Sequence, residues 1–102
     1  MPMVRVSNGG TADAELVSLQ YAPPASVNYT VNIGDILLII STGTGGSSGP
    51  HTIASGATTL QSWTNGNYAT ITLCEATSTT VTVTHSMGSG DSMVNRIVLR
   101  LN

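Results

Sequence analysis

Short runs of strand-forming residues follow one another along the chain. Apolar and polar positions alternate with period two over residues 27–31, 80–84 and 97–101. Because successive side chains of a strand point to opposite faces, this alternation is typical of half-buried β-strands. Residues 36–40 are instead uniformly aliphatic. Such a run indicates a central strand with both of its faces covered.

Turn signals separate these runs, and helical periodicity is weak throughout. Gly, Asn and Pro cluster at residues 8–10, 33–35, 43–50, 65–66 and 87–92. The best helical candidate, residues 11–20, is short and soon followed by Pro23-Pro24, which favours a strand or an extended arm. We therefore predict an all-β fold: an antiparallel β-sandwich, jelly-roll or immunoglobulin-like. Residues 1–22 would form an extended N-terminal arm or edge strand, and residues 23–102 a single sandwich domain.

The Asn65-Gly66 pair predicts a β-hairpin, because Asn-Gly supplies the two positive-φ positions of a type I′ turn. A two-residue loop would place Trp63 opposite Tyr68. By alternation, the face of the hairpin predicted to meet the core carries Leu60, Ala69, Ile71 and Leu73. The opposite, outward face would carry Thr59, Gln61, Trp63, Tyr68, Thr70 and Thr72.

An outward pair of Trp63 and Tyr68 has three interpretations. A loop of the same chain could cover the pair, sugar rings could stack on it, or it could anchor a protein interface, where Trp, Tyr and Arg contribute most. Arg96 and Arg100 flank Val98 on the face of the last strand predicted to lie away from the core, and could form the rim of such an interface. The candidate protein-interface residues are therefore Trp63, Tyr68, Gln61, Arg96, Arg100 and Arg5.

Composition excludes several classes of partner. The 102 residues suffice for one domain with one modest core. Only 8% of residues are charged, the net charge is −2, and the three basic residues, all arginine, are too few to follow a nucleic-acid backbone. The longest aliphatic run, residues 36–40, is far shorter than the roughly 20 residues of a membrane span. We expect neither nucleic acid nor a membrane as a partner.

Residues able to carry chemistry form no recognisable motif. A catalytic triad could be assembled only by inventory, from Ser86 or Cys74, His51 or His85, and Asp35 or Asp91. No Gly-x-Ser-x-Gly sequence is present, and the glycine-rich residues 43–50 lack the lysine of a phosphate-binding loop. One cysteine and two histidines do not make a metal-binding set. We predict a protein that is not an enzyme and binds no cofactor or metal.

The order of these segments resembles a β-sandwich type found among structural proteins of tailed bacteriophages. In that type a Gly-Asp turn leads into an aliphatic strand, followed by a glycine-rich loop, an aromatic hairpin, a Glu-Ala-Thr-like turn, a Thr/Val strand and a final aliphatic strand. The matching segments cover about three quarters of the chain. They are Gly34-Asp35, residues 43–50, Trp63, Glu75-Ala76-Thr77, residues 79–84 and residues 94–101.

This resemblance implies a virion component located on the capsid surface. The expected role is that of a decoration, or cement, protein that binds the major capsid protein at capsomer junctions of the mature head and stabilises it against internal DNA pressure. The resemblance also implies a homo-oligomer, taken as a trimer, whose N-terminal arm reaches a neighbouring subunit. The alternative is a carbohydrate- or receptor-binding module of a tail fibre.

Overall fold

Nine β-strands make up most of the computed structural model, which describes residues 5–8, 11–44, 51–65, 68–86 and 92–101. The strands are β1 (Arg5–Asn8), β2 (Thr11–Tyr21), β3 (Ser26–Thr30), β4 (Ile36–Thr44), β5 (Thr52–Ser55), β6 (Ala57–Asn65), β7 (Ala69–Ala76), β8 (Thr80–Thr84) and β9 (Ser92–Leu101). The residues described contain no helix, so the all-β prediction is confirmed.

The strands form two antiparallel sheets. The larger sheet has six strands in the order β1-β2-β9-β4-β7-β6, and the smaller has three in the order β3-β8-β5. β4 lies between β9 and β7, so that Ile40 pairs with Ile97 on one side and with Ile71 on the other. The predicted central position of the aliphatic strand is confirmed.

The apolar core lies between the two sheets. Each sheet contributes alternate side chains to one cluster, formed by Tyr29, Val31, Leu37, Ile39, Cys74, Ala76, Val81, Val83 and Val98. We call the side of the six-stranded sheet that meets this core its inner face and the opposite side its outer face. The two faces differ sharply: Leu37 and Ile39 are fully buried, whereas Ile36, Leu38 and Ile40 on the outer face are only partly buried.

The predicted register of the β6–β7 hairpin is wrong. Trp63 pairs with Ile71, and Asn65 pairs with Ala69, so three residues connect the strands instead of two. The Tyr68 backbone N–H donates to the Asn65 carbonyl oxygen at 3.0 Å. A shift by an odd number of residues exchanges the faces of a strand. Ile71 and Leu73 therefore lie on the outer face, and Thr70 and Thr72 are buried on the inner face.

A bulge changes the expected position of Leu60 as well. The register of β6 against β7 shifts between Thr59 and Gln61, which leaves Leu60 as the extra residue. Its side chain is 52% exposed and does not belong to the core. Trp63 does point outward as predicted, but it lies beside Ile71 and not opposite Tyr68.

The predicted faces of β9 are also reversed. Arg96 and Val98 are fully buried on the inner face, while Ile97 and Leu99 lie on the outer face. The guanidinium is tolerated inside because polar atoms meet it: Arg96 Nε donates to Ser41 Oγ at 2.9 Å, and Arg96 Nη2 lies 3.1 Å from His85 Nδ1. A fully buried side chain cannot contact a partner protein, so Arg96 does not form the rim of an interface.

The N-terminal residues join the six-stranded sheet. β1 is an edge strand, and β2 pairs with β9 from Ala14 opposite Leu101 to Tyr21 opposite Asn95. β2 is also tied to the smaller sheet, because Tyr29 Oη donates to Gln20 Oε1 at 2.6 Å. The segment 11–20 is therefore a strand, as the sequence favoured.

Candidate interaction face

Two rows of side chains cross the outer face of the six-stranded sheet, one residue from each of five strands. The strand registers define them. The first, which we call the tryptophan row, consists of Leu19, Ile97, Ile40, Ile71 and Trp63. The second, the glutamine row, consists of Leu16, Leu99, Leu38, Leu73 and Gln61. Nine of these ten positions are apolar, and none is charged.

Polar groups border the rows at both ends of the strands. Beyond the tryptophan row, Thr42 Oγ1 donates to Asn95 Oδ1 at 2.7 Å. Beyond the glutamine row, Thr58 pairs with Glu75 across β6 and β7, while the other three strands continue the apolar surface with Ala14, Leu101 and Ile36. The smaller sheet covers only the inner face, and within the described part of the chain no strand lies over the rows. The face thus has an apolar centre and a partly polar margin, as protein interfaces commonly do.

The two edges of this face differ in shape. At the β2 edge, Leu19 is 55% exposed. At the β6 edge, the side chains around Trp63 enclose an open hollow of about 270 Å³. Its lining residues are Leu38, Gln61, Ser62, Trp63, Ile71 and Leu73. An apolar hollow of this kind fits an aliphatic side chain better than a polar group.

The structure brings only two of the predicted interface residues together. Trp63 and Gln61 are two residues apart on β6, and both lie on the outer face. Tyr68 is 61% exposed and lies in the connection after β6. Arg5 belongs to the edge strand β1, where its backbone pairs with that of Glu15; its side chain lies outside the described residues.

Arg100 has a structural role at one end of the inner face. Arg100 Nε lies 3.0 Å from Asp35 Oδ2, and Arg100 Nη1 lies 3.7 Å from Glu15 Oε2. Asp35 Oδ2 also accepts the Asn32 backbone N–H at 2.9 Å. These ion pairs connect β9 to β2 and to the turn before β4, so the predicted position of Arg100 on the face away from the core is wrong.

A chain of hydrogen bonds fills the other end of the interior. Ser41 Oγ accepts from Arg96 Nε and lies 2.7 Å from His51 Nδ1, and His51 Nε2 lies 2.8 Å from Thr72 Oγ1. Ser41 is completely buried, and His51 is only 5% exposed. With the Ser41 hydroxyl donating to Nδ1, Nε2 carries the proton and donates to the Thr72 hydroxyl. Both nitrogens of a neutral imidazole are then hydrogen-bonded.

Burial and a neighbouring cation keep this imidazole neutral. Desolvation, together with the Arg96 guanidinium, lowers the pKa of His51 from 6.5 to about 4. The same two causes lower the pKa of His85. The arrangement therefore fixes the alignment of β4, β7 and β9 against β5, and it presents no reactive group to solvent.

Among the described candidates for catalysis, Cys74 and His51 are closed to solvent, and Asp35 is paired with an arginine. Cys74 is completely buried, and burial raises the pKa of its thiol to about 11, so it is a poor nucleophile. Ser41 lies beside His51 but is closed to solvent. Asp35 is paired with Arg100, and Asp91 lies outside the described residues. Among the residues that the structure covers, no group of three His, Cys, Asp or Glu side chains could hold a metal ion.

Sequence reasoning missed the polar end of the interior. The signal was present at one level of the sheet, where the aliphatic run of β4 changes to Ser41, opposite Thr70 on β7 and Arg96 on β9. Only the registers of β4 against β7 and β9 reveal that these polar residues meet, and the sequence did not predict those registers.

Two further findings bear on function. No described helix is long and apolar enough to cross a membrane. Comparisons with protein-family models, with curated proteins and with solved structures found no match to this chain.

Proposed function

We propose that this protein is a non-enzymatic structural subunit that acts by docking onto other proteins, as a decoration protein on the outside of a tailed-bacteriophage head. The observation that carries the docking role is the outer face, with nine apolar side chains in two adjacent rows. A monomer seldom exposes a contiguous apolar patch of more than a few hundred Å² unless the patch binds something. The virion setting rests on the resemblance described above.

The proposed mechanism is mechanical. The two sheets would form a β-sandwich of jelly-roll or immunoglobulin-like type, and the strand edge formed by β1 would serve as the arm that reaches a neighbour. Copies of this chain and the major capsid protein are the proposed partners. Each copy needs to contribute only a few kcal/mol of binding energy, because many copies act together on one shell.

Binding to heads tests this proposal. Heads that lack the protein should release DNA at a lower temperature than complete heads, and the purified protein should restore the higher temperature. The matched control is a chain with Trp63→Asp and Ile71→Asp. This variant should not restore the higher temperature, because two carboxylates oppose burial of the outer face. Equal melting of complete and deficient heads would contradict the decoration role.

A carbohydrate-binding module is the second candidate, because Trp63 and Gln61 flank the hollow on the outer face. The indole could stack on a sugar ring, and the amide could bind a hydroxyl group. The other lining residues offer little for a sugar, because Leu38, Ile71 and Leu73 are aliphatic and the Ser62 hydroxyl lies 3.3 Å from the Thr72 hydroxyl on the inner side. Specific signals on a glycan array that Trp63→Ala abolishes would favour this function over docking.

A further inference from the structure

We propose that the occupant of the outer face is a second copy of this chain, packed face to face around a two-fold axis that runs parallel to the strands over β4. This inference rests on the proposed docking role: it assigns the outer face to the contact between copies and leaves the contact with the capsid protein to other surfaces of the pair. In this arrangement β4 lies over β4 of the second copy, β9 over β7, and β2 over β6.

The first argument is the pattern of β4. Five consecutive aliphatic residues are typical of a strand that is covered on both sides. Within one chain the inner side is covered completely and the outer side is not: Leu37 and Ile39 have no exposed surface, but Ile36, Leu38 and Ile40 keep part of theirs. A second sheet about 10 Å away would cover the outer side in the way that the sequence pattern indicates.

The second argument is charge. The ten positions of the two rows carry no charged side chain. Two rows without charge have no electrostatic means of selecting a charged partner, but they meet identical rows without burying an unpaired charge. The charge that borders the rows on this face, Glu75, is exposed at the margin. Of the bordering polar groups, Thr42 already donates to Asn95 within the same chain.

The third argument is area. The two rows together with the residues that border them occupy about seven residues of each of five strands, which at about 4.8 Å between strands and about 3.4 Å per residue is roughly 570 Å² on each copy. Two such faces bury about 1,100 Å², slightly more than the roughly 1,000 Å² that a specific interface needs. The observed face is therefore large enough for a stable dimer.

Shape selects the direction of the two-fold axis. An axis parallel to the strands preserves the level of each row and exchanges its ends, so Leu19 of one copy lies over the Trp63 end of the other. The exposed Leu19 side chain at the β2 edge then meets the hollow at the β6 edge, and this happens twice in one dimer, as two-fold symmetry requires. An axis perpendicular to the strands would place hollow on hollow and Leu19 on Leu19.

Sedimentation of the purified chain tests the pairing. We expect a dimer, and we expect Leu19→Asp to raise its dissociation constant roughly 100-fold or more, because a carboxylate would enter an apolar contact. Asn28→Asp is the matched control: this exposed residue lies on β3 of the smaller sheet, so the same charge should leave the dimer unchanged. Circular dichroism verifies that both variants fold. A monomer, a trimer, or equal effects of the two variants would overturn the pairing.

Cross-linking tests the direction of the axis. Leu16→Cys and Gln61→Cys place thiols at opposite ends of the glutamine row, and a thiol cross-linker that spans about 10 Å matches the distance between packed sheets. A mixture of the two variants should give cross-linked dimers, and neither variant alone should. Cys74 is completely buried and should not react. Cross-linking within each variant alone would overturn the predicted axis.

The result separates this inference from the proposed function. A monomeric chain that still binds and stabilises heads would overturn the pairing alone. A dimer with the predicted cross-links that fails to bind heads would overturn the decoration role and leave the pairing intact.

Discussion

At the scale of single residues, the most informative group is the buried His51. It joins Ser41 and Thr72, which lie on neighbouring strands of the larger sheet, to the segment that begins the smaller sheet's β5. Buried polar groups are costly unless they are hydrogen-bonded, so a displacement of one sheet against the other would leave several of them unsatisfied. We infer that this cluster fixes the alignment of the two sheets.

Acid should therefore destabilise the protein through His51. Its pKa is about 4 in the folded chain and 6.5 when unperturbed, so between these values the unfolded state binds more protons. The contribution of His51 to the free energy of unfolding should be constant above pH 7, fall as the pH decreases from 6.5 to 4, and decrease by about 3 kcal/mol across that range. Urea unfolding at fixed protein concentration measures this loss.

Two variants assign the pH effect. His51→Gln should be less stable than the parent at pH 7, and its stability should depend much less on pH between 6.5 and 4. His85→Gln should retain most of this pH dependence. His85 is more exposed than His51, so burial penalises its charged form less, although its pKa is lowered in the same direction. A parent protein equally stable at pH 7 and pH 4.5 would contradict the role assigned to His51.

At the scale of strands, the sequence sufficed to predict which segments are extended but not how they pair. Alternation and turn residues identify the aliphatic β4, the Thr/Val strand β8 and the last strand β9. The register depends on loop length, and Asn65-Gly66 is compatible with loops of two or three residues. A difference of one residue in the loop moved Ile71 and Leu73 from the predicted core face to the outer face, and the bulge separately moved Leu60 out of the core.

The pattern of β9 also could not reveal which of its two faces meets the core. In β9 both sets of alternate residues include large apolar side chains, and the arginines suggested the exposed set. Arg96 is nevertheless inside, because Ser41 on β4 and His85 after β8 supply its hydrogen bonds. These partners are distant in sequence, so the pattern of β9 alone favours the wrong face.

The connection between β5 and β6 contains a glycine that no other residue should replace. Gly56 has φ +89°, and a Cβ atom there would collide with the Thr80 carbonyl oxygen. Gly56→Ala should therefore cost at least about 3 kcal/mol of stability. Gly34 is the matched control, with φ +92° but open space around it. Gly34→Ala should cost only about 1–2 kcal/mol, from backbone strain alone. Equal losses in thermal unfolding would contradict this explanation.

Truncation of the N-terminus should give two different results. Removal of residues 1–10 deletes the edge strand β1, which pairs only with β2, and should leave a folded domain. Removal of residues 1–21 also deletes β2, exposes the edge of β9 and removes Val17 from the core, so we expect loss of cooperative unfolding. Circular dichroism melting curves distinguish the two. A cooperative transition in the shorter chain would show that β2 is dispensable.

At the scale of the whole molecule, the described residues cover only the inner side of the larger sheet. The smaller sheet has three strands against six, and it packs on the inner face alone. The outer face keeps nine apolar side chains in two continuous rows. A protein with so few charges has little electrostatic protection against association, which supports the proposal that this face is covered in an assembly. The proposed docking role therefore depends on burial of the outer face in an assembly.

Trp63 reports on that burial directly, because it is the only tryptophan and lies at the end of the tryptophan row. Its side chain is 54% exposed in the single chain. Acrylamide quenching of its fluorescence, measured from dilute to concentrated protein, should weaken as copies associate. In the Leu19→Asp variant, quenching should stay as strong in concentrated protein as in dilute protein. Quenching that is strong and identical at every concentration of the parent protein would contradict the central claim.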